Sequence, residues 1–175
     1  MRYYDALELQ PKLALDSADL QQRFYRLSRV WHPDKFTRAG PQEQQQALDR
    51  TAVLNDAFRT LRDPVSRAEY FCHEQGLDPS KQPPAELLEE VFELNMALEE
   101  LRGGDESVRP QLDAADQRFR AMLAGIDGAL AGMFARYDGG GDEFLKEIRA
   151  ALDRRRYVSN LVRDAEKELH VHVSD

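Results

Sequence analysis

At 175 residues, 32% charged and 42% hydrophobic, the chain has room for one ordinary domain or for two small ones, each with a modest core. The net charge of −8 is unevenly placed: residues 1–76 carry 11 basic and 11 acidic side chains and residues 77–175 carry 13 and 21, which argues against nucleic acid as a partner of the second half. A single cysteine, Cys72, excludes an internal disulfide or a thiolate zinc cluster built from this chain alone and reads as a core thiol.

The first clear helix is expected over residues 17–32, where Leu20, Phe24, Leu27 and Trp31 recur at helical spacing on one face. Asp16 stands at its N-cap, and Asp19 favours the positive helix start. Pro33 stops it, because the residue before a proline is pushed out of the helical region. After the loop 36–40 a second long helix is expected from Pro41 to Leu61, with Leu48, Thr51, Leu54, Phe58 and Leu61 facing inward as an antiparallel partner of the first. Asp63-Pro64 reads as cap plus first helical residue of a shorter helix that ends at Gly76.

Residues 77–84 hold prolines and polar side chains with no apolar period and read as a linker. Three further helices are expected at about 85–102, 108–137 and 142–169, separated by Gly103-Gly104 and Gly139-Gly140-Gly141, so that neighbours run antiparallel. Their apolar rows are Leu87, Val91, Leu94, Leu98 and Leu101; Leu112, Phe119, Leu123, Ile126, Leu130 and Phe134; and Phe144, Ile148, Leu152, Leu161 and Leu169. The fold class is therefore all-α: a helical hairpin with short flanking helices over residues 1–76, then a three-helix bundle over 85–175.

The informative string is Trp31-His32-Pro33-Asp34-Lys35-Phe36, set between two antiparallel amphipathic helices. A bare Pro-Asp is ordinarily just a turn. Here it closes a helix whose Arg23, Arg26 and Arg29, three residues apart, form a basic stripe opposite the apolar face, and Lys35 extends that stripe into the loop. This is the signature of a J domain. The resemblance implies that the stripe meets an acidic surface on an ATP-bound chaperone of the HscA/DnaK type while His32, Pro33 and Asp34 act where its nucleotide domain meets its interdomain linker. Asp34, held by the rigid Pro33, is the expected switch: a carboxylate able to pair with a chaperone arginine in one conformational state shifts the population that hydrolyses ATP.

Further residues narrow the resemblance. His32-Pro33-Asp34-Lys35-Phe36, then Leu61-Arg62-Asp63-Pro64 and Arg67-Ala68-Glu69-Tyr70 before Gly76, together with Glu86-Leu87-Leu88 through Leu101 and Arg156-Tyr157, resemble the HscB family of iron–sulfur cluster co-chaperones over nearly the whole chain. The glycine/phenylalanine-rich segment and Cys-x-x-Cys repeats of general folding co-chaperones are missing. The resemblance implies a bundle that delivers an IscU-type iron–sulfur scaffold for cluster maturation and transfer, docked on Leu88, Phe92, Glu93, Met96, Glu100 and Tyr157. Leu88, Phe92 and Met96, four apart, form an apolar edge distinct from the Leu87/Val91/Leu94/Leu98 row. Phe92 and Met96 could equally widen the core face, since such side chains usually pack inside; exposure decides. A J-domain protein for another client, its bundle serving for dimerisation or other recruitment, is the alternative.

No chemistry of the chain's own is expected. It has no P-loop, no HExxH and no GxSxG string, so it reads as an activator of a partner ATPase, with no catalytic residue, metal or cofactor. His170 and His172 near the tail read as a solvated end. No apolar stretch approaches the ~18 residues of a membrane span. Met1-Arg2-Tyr3-Tyr4 leads straight into patterned sequence without a signal-like run, so a cytoplasmic setting with no membrane or nucleic-acid partner is expected.

Overall fold

The structure, a computed structural model, describes residues 1–171; the His170/His172 pair lies outside the described side chains. Seven α-helices occur among the described residues, and no strand does: α1 (Arg2–Ala6), α2 (Ser17–Trp31), α3 (Pro41–Arg62), α4 (Pro64–Glu74), α5 (Leu88–Arg102), α6 (Arg109–Asp138) and α7 (Phe144–Val171). Short 3₁₀ turns at Pro33–Phe36, Ala85–Leu87 and Glu106–Val108 introduce the elements that follow them. Two compact units result: Met1–Leu77 with Phe134–Glu143, and Asp78–Met133 with Phe144 onward.

In the first unit the helix ends follow local chemistry. Asp16 caps α2 by accepting from the amides of Ala18 and Asp19 at 2.7 and 3.2 Å, and Asp63 caps α4 through Ser66 N at 2.7 Å, each satisfying orphan donors of a first turn. Pro41 and Pro64 occupy first-turn positions, where a missing N–H is no loss. α2 and α3 run antiparallel: the rings of Phe24 and Phe58 stack at 4.1 Å, while Thr51, further back along α3, reaches the end of α2 at Trp31. Leu20, Leu27, Leu54 and Leu61 are buried, as expected of the inner rows.

Leu48, expected on the inner face, is 50% exposed, and Ala47 and Ala57 are buried instead. The buried row of α3 passes through Ala47, Leu54, Ala57 and Leu61; residue 48 stands about 100° around the helix from residue 47. Small residues on that row let α1 and α2 approach α3 closely, and the larger side chain is left to solvent.

α1 packs on α4 through aromatic rings. Tyr3 stacks on Tyr70 at 4.6 Å, and Tyr4 meets Phe71 edge-on at 6.1 Å. Tyr4 is fully buried, its hydroxyl donating to Lys12 O at 2.7 Å. Burial raises the Tyr4 phenol well above its ordinary range, with Asp138 adding to the shift and Arg67 opposing it. Arg67, itself buried, donates to Leu61 O at 2.6 Å, supplying a partner to a carbonyl in the last turn of α3; burial lowers its pKa.

The last turn of α6 completes this unit. Asp138 accepts from the backbone N–H groups of Leu13 and Ala14 at 3.0 and 2.7 Å, and Tyr137 packs edge-on against Phe71 at 5.4 Å. A division of the chain at 77–84 does not anticipate that residues 134–143 belong with the first unit.

In the second unit α5, α6 and α7 contribute to one core. It contains Leu87, Leu94, Leu98 and Leu101, then Leu112, Ala115 and Phe119, then Val158, Leu161, Val162 and Ala165, with Val91, Leu123, Ile126, Tyr157 and Leu169 packed against it. The helix expected from Ala85 opens as a 3₁₀ turn and becomes α-helical at Leu88. Gly104, at φ +93°, occupies the left-handed position that ends α5, with the amide of Asp105 returning to Glu100 O at 3.0 Å. Residues 77–84 contain no helix. They are held onto α7, since Ser80 N donates to the buried Asp153 carboxylate at 3.1 Å and Arg156 donates to Ser80 O at 2.5 Å. Among the described residues no helix is long and apolar enough to cross a membrane.

Candidate binding surfaces

The loop after α2 is held in one shape from several sides. His32 caps the 3₁₀ turn Pro33–Phe36: its Nδ1 accepts from Asp34 N at 3.3 Å, and its carbonyl accepts from Lys35 N at 3.0 Å. The Asp34 carboxylate stands 3.5 Å from the same Nδ1, and the two side chains are 57% and 85% exposed. Pro33 fixes φ between them. A carboxylate and an imidazole are thus presented together to solvent on a turn with little freedom to move, which lowers the entropy lost when a partner binds.

Support comes from behind the turn. Thr51 Oγ1 donates to Trp31 O at 2.9 Å, giving a partner to a carbonyl at the end of α2. The Trp31 ring stacks against Phe36 at 6.0 Å, and the Arg50 guanidinium lies 4.0 Å from the Trp31 centroid. Trp31, expected simply as core, is half-buried and serves as the post to which the loop is fixed. Tyr25, Ser28, Arg29, His32, Asp34 and Lys35 line a shallow depression; Tyr25, 55% exposed, carried no sequence signal beyond being an aromatic off the apolar row.

The arginine stripe expected to be uniformly exposed is divided. Arg29 is exposed beside the depression, with Lys35. Arg23 is half-buried, its Nε donating to Asp19 at 2.9 Å and an Nη to the carbonyl of Glu8 at 2.5 Å. Arg26 donates to the Glu8 carboxylate at 2.5 Å. Glu8 was missed in the sequence, because it lies 15 or more residues from these arginines and comes beside them only through the turn after α1.

On the second unit, Leu88, Phe92 and Met96 are 53%, 65% and 47% exposed. They therefore form a second apolar edge of α5 and do not widen the core face, whose buried residues on this helix are Leu94, Ala97, Leu98 and Leu101. Glu93 and Glu100 are exposed, Glu93 standing 3.9 Å from Arg118. Tyr157 on α7 is half-buried against the core, with the Arg156 guanidinium 5.3 Å from its ring centroid. Three large apolar side chains in a row on one surface helix form the kind of contiguous exposed patch that makes a candidate interaction site, and the exposed Glu93 and Glu100 flank it.

Comparisons with known proteins divide the chain in the same order. Residues 2–70 match the family model described as the DnaJ domain, and residues 83–166 match the one described as the HSCB C-terminal oligomerisation domain. A protein of Shewanella loihica named co-chaperone protein HscB homolog is 30% identical over 172 residues, covering 95% of this chain and 96% of the relative. One of the same name from Shewanella halifaxensis is 36% identical over 110 residues, 61% of this chain and 63% of that protein. Among solved structures, chaperone HscB from Vibrio cholerae superimposes with a TM-score of 0.65 at 26% identity, covering 95% of this chain and 96% of the other. Human co-chaperone protein HscB, at 22% identity and a TM-score of 0.68 over 95% and 81% of the two chains, shares the fold.

Proposed function

This chain belongs to the HscB family of J-domain co-chaperones, and from that premise we propose that it stimulates the ATPase of an HscA/DnaK-type chaperone and delivers to it an IscU-type scaffold for iron–sulfur cluster maturation and transfer. The observation that carries the first half is the His32-Pro33-Asp34 turn, rigidly backed by Trp31 and Thr51 and with its carboxylate 85% exposed. A pre-shaped turn can bias a partner's conformational equilibrium only through contacts that differ between the partner's states. Asp34, free to accept a bidentate arginine, is suited to that differential contact. Arg29 and Lys35, next to the turn, supply positive charge for steering toward an acidic surface.

The client half is supported by the exposed Leu88/Phe92/Met96 edge with Glu93 and Glu100 around it. An apolar helix edge ringed by charge suits a folded partner docked on a few anchor side chains. Both halves are tested by steady-state ATPase assays of the chaperone with this protein, with and without scaffold. Stimulation is expected to rise further when scaffold is present, and Asp34→Asn is expected to abolish the J-domain contribution; full stimulation by that variant refutes the mechanism. The description of the second family model as an oligomerisation domain favours a second reading in which the α5 edge meets a second copy. Sedimentation of wild type against Phe92→Ala separates the two, since only self-association through that edge makes the variant lighter.

A further inference from the structure

We propose that Glu8 is an internal rival of the partner chaperone for the arginine stripe, an acidic side chain that sets how tightly, and over what range of ionic strength, α2 docks. The inference rests on the proposed reading of that stripe as the chaperone contact and deepens it.

Glu8 follows Leu7, the C-cap of α1, and has φ +54°. That is the left-handed region, which glycine enters freely and other side chains enter at an energetic cost. The turn closes as left-handed helix ends do, with Leu9 N donating to Tyr4 O at 2.9 Å and Glu8 N to Asp5 O at 3.1 Å. Nothing in this backbone turn calls for a carboxylate, and glycine would adopt it with less strain.

What the glutamate adds lies across the turn, on α2. Its carboxylate accepts from Arg26 at 2.5 Å and its carbonyl from Arg23 at 2.5 Å, so one strained residue engages two of the three arginines. The Arg26 and Glu8 side chains are 53% and 55% exposed, so the pair sits in water and opens at little cost. An acidic partner approaching α2 must take Arg26 from Glu8 and also meets the repulsion of the Glu8 charge. Arg29 and Lys35, beside His32 and Asp34, are left as the cations of first contact. Glu8 therefore works as a positioning and tuning residue: it holds Arg23 and Arg26 in place and discounts their attraction for partners of insufficient acidity.

The size of the effect follows from the exposure of the pair. A solvent-exposed ion pair changes an equilibrium constant by up to about five-fold. Because the competition is between surface charges, it acts mainly on the association rate and is screened by salt. The test uses the full chain and an ATP-bound DnaK-type chaperone immobilised for surface plasmon resonance, at about 50 mM and about 500 mM salt. Glu8→Gln keeps the left-handed backbone and removes only the charge. It is expected to tighten binding about two- to five-fold at low salt through faster association, with the gain gone at high salt. Arg26→Ala is expected to weaken binding more in the Glu8→Gln background than in wild type, because there the arginine is free to dock. Thermal melts of all variants confirm that each is folded. If Arg26→Ala weakens binding while Glu8→Gln leaves low-salt affinity unchanged or reduced, the rivalry is overturned and the stripe reading stands. If Arg26→Ala has no effect in either background while Arg29→Ala weakens binding, the rivalry is overturned and the stripe reading stands; if neither arginine matters, the stripe reading fails and takes the rivalry with it.

Discussion

Phe92 is the side chain at which the proposed client docking can be tested apart from folding most cleanly, because it is large and 65% exposed. A phenylalanine carries roughly 200 Å² of surface. The third that is covered in the free protein accounts for at most ~1 to 2 kcal/mol of fold stability at ~25 cal/mol per Å². The exposed two thirds, if covered by a docked scaffold, account for ~2 to 3 kcal/mol of binding once the surface kept by an alanine is allowed for, or roughly 30- to 150-fold in Kd. Phe92→Ala should therefore weaken scaffold binding by that factor in titration calorimetry while shifting the melting temperature only slightly. Leu94→Ala supplies the opposite control, since Leu94 is 3% exposed in the bundle core and its truncation should cost ~2 to 5 kcal/mol of stability. The reasoning is refuted if Phe92→Ala melts as early as Leu94→Ala, or if it binds scaffold like wild type.

Other outcomes follow from the first unit. Thr51→Val removes the hydroxyl bond to Trp31 O and is expected to cost ~1 kcal/mol in stability and to lower chaperone ATPase stimulation while leaving scaffold affinity intact; equal loss of both would show that it acts only through global folding. Asp138→Ala deprives the Leu13 and Ala14 amides of their acceptor and should cost ~2 to 3 kcal/mol, read as a melting-temperature drop of roughly 5 to 10 °C. Burial holds the Tyr4, Tyr70 and Tyr137 phenols above their ordinary pKa. The unfolded chain ionises near pH 10 while the folded chain holds its protons to higher pH, so stability is full below that pH and falls as pH rises through it, by up to ~1.4 kcal/mol per pH unit for the fully buried Tyr4 and by much less for the more exposed Tyr70 and Tyr137. Urea midpoints measured from neutral to strongly alkaline pH should show this fall, and Tyr4→Phe should reduce its slope.

The parts of the fold legible in the sequence are those whose cause is local. Asp16 before α2, Pro33 after it, Pro41, Asp63-Pro64 and Gly104 each act on the backbone within a turn of where they stand, so their helix ends are readable from a linear string. Long apolar rows were equally legible where large side chains marked them, as in Leu94, Leu98 and Leu101. The row on α3 was legible at Leu54 and Leu61 but not throughout, because its other two buried members are alanines, which carry too little hydrophobic signal to outvote Leu48 next door. At five residues α1 is too short to show a period, and it stands by Tyr4 burial and the Tyr3–Tyr70 stack, both of which depend on α4 being in place.

The same distinction runs through the candidate binding surfaces. His32, Pro33 and Asp34 were legible because they are consecutive, and the Leu88/Phe92/Met96 edge because a helix brings every fourth residue into line; only its exposure needed the structure. The charge balance of the stripe was not legible, since Glu8 reaches Arg26 across 18 residues of chain through a backbone conformation that a glutamate does not favour. Buried Arg67, exposed Arg29 and paired Arg26 are the same residue type within one unit, yet one caps a helix, one faces solvent and one is held by an internal acid. Which arginine is left open to solvent is therefore decided by its nearest carbonyl or carboxylate, a tertiary property, and spacing along α2 identifies only the face on which the arginines stand.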